Sequence, residues 1–509
     1  MKTIVKTLRE QTRQLLATGL LFALITPPVH AAGSATTTPI KYLVVIFDEN
    51  NSFDHYFGTY PTALYPQGEP VSSQFTLGES PFMPLPNTPS VNGLSPTIMQ
   101  YGGNSTAPFR LDRAMETTCD NDNHYTDEQK AYNQGLLNMF PQDTSATGSG
   151  CTSALSMAYY DGNTVTALWN YAQYFSMSDN FYDSEFGTTV MGHLNLISGQ
   201  THTTSVETIA GKIANGTVIA NVEAGFDDCV TTANGTPVQM TSKNIGDLLN
   251  AQGVTWGWFY ADYPQSTNNQ PITSCPSSYN SHYDPFMYYQ STSNPHHLPS
   301  SGVGLIGTSQ DQANHNYAMT DFWNAVNAGN LPSVSFLKAT KAQTGHPSDS
   351  SPLAEQQFLV NTINQLEQSP FWSQMAIIIT YDDSDGWYDH VMPPIVSSSN
   401  DAANDVVFGS NLCGTPQPGA YLDRCGYGTR LPFLVISPYA KQNYVDHGLT
   451  DLTSITRFIE DNWNLGRLGN QSFDALAGSI NTLFDFVDTP RPGRILLLDP
   501  NAGTVTTAQ

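Results

Sequence analysis

Three short apolar runs, YLVVIF (42–47), AIIIT (376–380) and LPFLVIS (431–437), limit what this chain can fold into. None alternates apolar with polar residues, so each reads as a strand buried on both faces. PSVSFLKA (332–339) is a weaker fourth run of the same kind. Segments of helical period lie between them. Phe358, Leu359, Ile363 and Leu366 share one face of 352–369, and Ile455, Phe458 and Ile459 share another behind a Thr- and Asp-rich start. Buried strands alternating with amphipathic helices predict an α/β fold with a mainly parallel sheet covered on both faces. Residues 60–115 and 200–310 are rich in Pro, Ser, Thr, Asn and Tyr and weakly periodic. They are expected to be loop-rich, cap-like insertions in a single domain spanning 32–509.

The amino end has a different character. Lys2, Lys6, Arg9 and Arg13 precede LLATGLLFALI, and Val29 and Ala31 stand where a signal peptidase would read them. Residues 1–31 therefore predict a secretory signal, too short and wrongly flanked for a membrane anchor. No later stretch is long and apolar enough to span a bilayer. Export agrees with the even set Cys119, Cys151, Cys229, Cys275, Cys413 and Cys425, which reads as disulfides. Cys413 and Cys425 close a short loop rich in Gly and Pro and are the pair expected first. The formal charge of −25, made more negative by loss of the basic leader, excludes nucleic acid as a natural partner.

In an open α/β sheet, ligands gather at the carboxyl ends of the strands. Here the first run ends in DENNSFDH (48–55), the second in YDDSDGWYDHV (381–391) and the third at Ser437. Glu49, Asn50, Asp382 and Asp383 would meet at one rim, where like charges repel unless a cation lies among them. Taken singly, DDSDG is also an ordinary Asx turn and DENNS an ordinary helix cap. Their shared position after buried strands favours a divalent metal. FGTT (186–189) places Thr188 and Thr189 ahead of the helical stretch VMGHLNLIS. A hydroxyl at a helix N-terminus is well placed to attack a phosphate bound there, although such a turn alone is usually a cap. His124 and His346 stand near element boundaries, and imidazole can bind a phosphate or protonate a leaving group.

DENNSFDHYFG, DNDNHYTDEQKAYNQG, FGTT with LNLISG, HPSDSSPLAEQQFLV, ITYDDSDGWYDHVMPP and YGTRLPFLVISPYAKQNYVDH occur in this order. Together they resemble the bacterial phosphoesterase family that holds the secreted phospholipases C and acid phosphatase A. The resemblance implies a three-layer α/β/α sandwich of alkaline-phosphatase-like type and hydrolysis at a metal-assisted hydroxyl. By it Thr189 matches the nucleophile and a metal contact, while Glu49, Asn50, Asp382 and Asp383 match the other ligands. His346 matches the histidine that protonates the leaving group. His124, His193 and one of His296 or His297 resemble phosphate-binding positions, and Asp389 and His390 match a block that supports the site from behind. The chain also departs from the pattern. Many members carry Pro-Asn-Arg or Leu-Asn-His where this one has Met191, Gly192 and His193, so a phosphate contact through Asn is missing. Where the family's phospholipases often read Asp-Glu-x-Gly-Gly, Asp382 and Asp383 are followed by Ser384, Asp385 and Gly386.

The expected activity is that of an exported phospholipase C working through a phospho-threonine, with one divalent ion. Oxygen ligands suit magnesium, manganese or calcium as well as zinc, and the resemblance favours zinc. Tyr60, Phe82, Trp256, Trp258, Phe259 and 285–289 could line a wall that accepts lipid, or could simply pack the caps. Two alternatives stand beside this one. An acid phosphatase acting on small phosphomonoesters would suit the acidic composition. A secreted metal- or carbohydrate-binding protein would explain the acidity, DDSDG and the cysteines, but not the Gly-Thr-Thr turn with its histidines. A sulfatase is disfavoured, because TTVMG lacks the Cys/Ser-x-Pro-x-Arg pattern.

Overall fold

The computed structural model describes residues 35–509, apart from 64–81, 102, 147, 149, 231–234, 268, 269, 273 and 488–492. The expected leader, 1–31, lies outside the described residues. An eight-stranded sheet forms the centre. Its strands are β1 (Tyr42–Asp48), β2 (Ser176–Ser178), β3 (Trp256–Tyr260), β4 (Asn316–Ala318), β5 (Val334–Lys338), β6 (Met375–Tyr381), β7 (Phe433–Ile436) and β8 (Tyr444–Asp446). They lie in the order β4–β3–β5–β1–β6–β7–β2–β8. The apolar runs occupy the middle: β1 is parallel to β5 and β6, with Ile46 opposite Leu337 and Ile379. Leu43–Phe47 and Ala376–Ile379 are fully buried, as strands without alternation must be.

Two expectations need correcting. The strand after LPF runs antiparallel to β6, with Ile436 opposite Ile377. Ser437 therefore falls at the amino end of β6, where its hydroxyl donates to the Met375 carbonyl at 2.7 Å, away from the acidic rim. Strand direction is set by the connections, which an apolar run does not encode. The second correction concerns 200–310, which is not wholly a cap. Its WGWFY forms β3, paired in parallel with β4 and β5 inside the sheet. Aromatics favour strands, but a run this short among Gly, Asn and Pro gives little pattern to read. Trp256, Trp258 and Phe259 are thus core residues, and Tyr60 and Phe82 pack edge-on against Trp169 at 5.2 and 5.1 Å.

Helices pack against this sheet. Those that position the site are α1 (Phe53–Phe57), α2 (Tyr125–Tyr132), α3 (Thr189–Ser198) and α4 (Pro352–Glu367). Ser351 caps α4 by accepting from the Ala354 N–H, with Pro352 at the first helical position, where its missing N–H costs nothing. Residues 35–509 form one compact unit. Disulfides join Cys119–Cys151, Cys229–Cys275 and Cys413–Cys425, the last being the expected pair. Among the described residues no helix is long and apolar enough to cross a membrane.

Candidate functional site

Because β1 and β6 are parallel neighbours, the residues that follow them leave the sheet side by side. Asn50 turns the chain with a left-handed φ of 60°, which Asn tolerates better than most residues. Its N–H then donates to Asp382 Oδ1 at 3.0 Å and its Nδ2 to Asp385 Oδ1 at 2.8 Å. The Asn51 N–H donates to the Asp383 carbonyl at 2.9 Å. Ser52 begins α1 by accepting from the His55 N–H at 3.2 Å. On the other loop, Asp383 Oδ1 accepts from the Asp385 N–H at 2.7 Å and from Asn123 Nδ2, just before α2, at 3.1 Å. Glu49, Asn50, Asp382 and Asp383 are all sealed from solvent.

Helix α3 closes the site. Thr188 precedes it in extended conformation and Thr189 is its first residue. Gly192, a turn later, lies so close to β6 that a Cβ there would be 1.9 Å from the Asp382 carbonyl oxygen. His193 stands four residues after Thr189 and so on the same helical face. Its Nδ1 lies 3.6 Å from Asp382 Oδ2 and its Nε2 3.8 Å from Glu49 Oε1. Lys338, the last residue of β5, is fully buried, makes an ion pair with Glu49 Oε1, and holds its ammonium 4.6 Å from the Tyr283 ring centroid.

Five atoms of this cluster are buried with no hydrogen-bond partner: Glu49 Oε2, Asn50 Oδ1, Asp382 Oδ2, Asp383 Oδ2 and His193 Nε2. Native interiors leave few such atoms, because each loses its hydration without compensation. Their chemistry fits a divalent cation, four oxygens and a nitrogen that can donate lone pairs. Without such an ion, burial and the neighbouring Asp382 push the Glu49 pKa well up, against the pull of Lys338. Burial raises Asp382, and burial with the charge of Asp382 raises Asp383 well above its ordinary value. Asp48 is driven up by burial and by Glu355, and both its oxygens are also unpartnered.

His346 stands at the edge of the cluster, in a group with Asp120 and Asp385. Its Nδ1 meets the Pro347 carbonyl at 2.6 Å, so that nitrogen carries the hydrogen and Nε2 carries the lone pair. At 14 % exposure its side chain is open to solvent where the acids are not. Other predicted residues are placed elsewhere. His124 is 63 % exposed and pairs with Asp122 at 2.5 Å; its neighbour Asn123, not His124, reaches the acids. His296 pairs with Asp228 at 2.7 Å, and His297 is buried between Asp227 at 2.8 Å and the Pro264 carbonyl at 3.1 Å. His124, His296 and His297 thus make no contact with the cluster, each being held by an acid near it in the fold. Asp389 and His390 belong to a network with Arg430 and Asp54.

Sequence reasoning missed Lys338, Asn123 and Asp385. A signal existed for Lys338: it ends an apolar run that becomes the strand beside β1.

Residues 40–466 match the family described as the Phosphoesterase family. The chain is similar to the non-hemolytic phospholipase C of Pseudomonas aeruginosa, 24% identical over 470 residues that cover 88% of this chain and 58% of the relative. It thus spans little more than half the length of that protein. It is also similar to phospholipase C A of Mycobacterium tuberculosis, 24% identical over 486 residues, with 92% of this chain and 81% of the relative covered. Among solved structures, an alkaline phosphatase superfamily protein from Vibrio parahaemolyticus aligns with a TM-score of 0.28 and 11% identity, covering 66% of this chain and 67% of that one.

Proposed function

This chain belongs to the Phosphoesterase family, and on that premise we propose that it is an exported, metal-assisted phosphoester hydrolase of the phospholipase C type, which cleaves the glycerol-side phosphodiester of a phospholipid. The observation that carries the reading is the set of unpartnered, buried oxygens on Glu49, Asn50, Asp382 and Asp383. These four residues and the Thr189 hydroxyl would hold the ion, with zinc favoured by family resemblance. When bound, the ion would supply positive charge for the phosphoryl oxygens and acidify the nucleophile's hydroxyl.

The remaining chemistry belongs to the chain's own side chains. Thr189 opens α3, where the positive end of the helix dipole favours a phosphate. Its Oγ1 attacks phosphorus, and an Oγ1–P bond forms as the bond to the diacylglycerol oxygen breaks. His346 Nε2 carries the proton lost by the Thr189 hydroxyl to that oxygen, then takes one from the water that cleaves the phospho-threonine and passes it to the departing Oγ1. The products are diacylglycerol and the phosphorylated head group, with Thr189 and His346 restored. Export is proposed with the activity, since three disulfides suit an oxidising compartment.

A second reading, hydrolysis of small phosphomonoesters, is favoured by one observation. Trp256, Trp258 and Phe259, put forward as a lipid-accepting wall, are fully buried in the core. Purified mature protein assayed on phosphatidylcholine and on p-nitrophenyl phosphate, with and without chelator, separates the two. Chelator-sensitive release of phosphocholine is expected. Fast monoester turnover with untouched lipid would replace the substrate and keep the mechanism. Full activity of Thr189→Ala on either substrate would overturn the nucleophile.

A further inference from the structure

We propose that His193 is a nitrogen ligand of the metal centre rather than a phosphate contact, and that it biases the centre toward zinc-class ions over magnesium and calcium. The inference rests on the reading of Glu49, Asn50, Asp382 and Asp383 as the residues that hold the ion.

The surroundings of the His193 ring fix its tautomer. Nδ1 lies 2.8 Å from the Thr189 carbonyl, which can only accept, so Nδ1 carries the hydrogen. Nε2 is then the lone-pair nitrogen, and it is buried with no donor to satisfy it. A phosphate contact needs an N–H at that atom. Supplying one would require a protonated ring, a second buried cation close to the Lys338 ammonium that already sits on Glu49 Oε1. A metal needs the opposite, a lone pair on a neutral ring. Imidazole ligands of metals also commonly donate their other N–H to a backbone carbonyl, as Nδ1 does here.

Geometry supports the same assignment. Nε2 lies 3.8 Å from Glu49 Oε1, and the His193 ring, Glu49 and Asp382 each offer an atom within 4.8 Å of the others, a spacing one ion can draw together. The ring is held from three sides, edge-on by Phe47 at 4.8 Å, tilted against Trp258 at 5.9 Å, and stacked on Tyr283 at 6.0 Å. Gly192 lets α3 approach β6 closely enough to bring the ring to the acids. An added imidazole changes the preference of an otherwise all-oxygen set, since nitrogen suits zinc, copper, iron or nickel better than magnesium or calcium.

The test uses full-length mature protein, stripped and reloaded with zinc. X-ray absorption at the zinc edge is expected to show imidazole scattering in the wild type and in His346→Asn, and none in His193→Asn. Asn at 193 can still donate to the Thr189 carbonyl but places nothing where Nε2 was. In competition titrations, His193→Asn is expected to lose zinc affinity by about 100-fold or more, while calcium affinity changes only a few-fold. Imidazole scattering that disappears in His346→Asn overturns the proposal. So does unchanged zinc affinity in His193→Asn accompanied by weaker inhibition by inorganic phosphate, which would make His193 a phosphate contact. Should His193→Asn fail to fold, the wild type and His346→Asn still decide, because His193 is the histidine grouped with Glu49 and Asp382 among the described residues. Zinc bound without imidazole scattering in the wild type overturns this inference alone. A wild type that takes up no ion overturns the metal-assisted reading with it.

Discussion

Two groups of acids and a histidine draw their acids from the segments that follow β1 and β6, and they are finished differently. Asp54, Asp389 and His390 gather around Arg430, whose guanidinium meets Asp389 at 2.9 Å and Asp54 at 3.2 Å. His390 Nδ1 meets Asp54 at 2.6 Å, and none of these side chains is left with an unpartnered buried atom. In the group of Glu49, Asp382 and His193 the Lys338 ammonium reaches Glu49 Oε1 and backbone N–H groups reach Asp382 Oδ1, while Glu49 Oε2, Asp382 Oδ2 and His193 Nε2 stay unmet. Composition would rank the two groups equally as places for a cation. Satisfaction separates them: Arg430 completes the first as a brace, while the second still lacks positive charge.

The sharpest way to break the contrast is through activity. Thr189→Ala is expected to lower kcat/KM by about 10⁴-fold or more, and Asp382→Asn to remove both bound metal and turnover, measured by steady-state kinetics and metal content. Neither change should alter the Arg430 brace. Next in size is Arg430→Met, which strands two buried carboxylates. It is expected to cost about 3–5 kcal/mol in urea unfolding, with or without chelator. Lys338→Met comes third. It removes the one cation beside Glu49, so the chelated protein should lose about 1–3 kcal/mol and the metal-loaded protein less. An equal loss in both states would mean that Lys338 is a brace like Arg430.

The smallest effect is one of pH. Burial opposes protonation of His390, but the Asp54 carboxylate outweighs it and raises the pKa above the ordinary 6.5. A group whose folded pKa is raised stabilises fully below its unfolded value and loses that contribution as pH climbs through the folded one. Thermal stability should therefore decline from pH 6.5 upward, and His390→Gln should flatten that decline in a series of melting curves.

The central strands and their acidic ends were legible because burial on both faces writes an uninterrupted apolar run, and the acids follow it directly. The pairing of Glu49 with Asp382 needed only the general rule about strand ends. What stayed hidden depended on connection and direction. Ser437 sits at the wrong end because β7 is antiparallel. WGWFY looked like cap material because its five aromatic-rich residues are too few to show a period. The resemblance offers one of His296 or His297 as a phosphate contact, yet each is engaged by its own acid. Lys338 was passed over because lysine ordinarily marks a surface, and only the sheet order places it beside β1.

Gly192 also constrains how this chain could change. Any side chain there meets the Asp382 carbonyl, so α3 would have to back away from β6 to accept one. Gly192→Asn would therefore not simply add a polar side chain beside Thr189; it would also shift His193 away from the acids. Position 192 therefore cannot gain a side chain, in the laboratory or over generations, without moving the ring at 193.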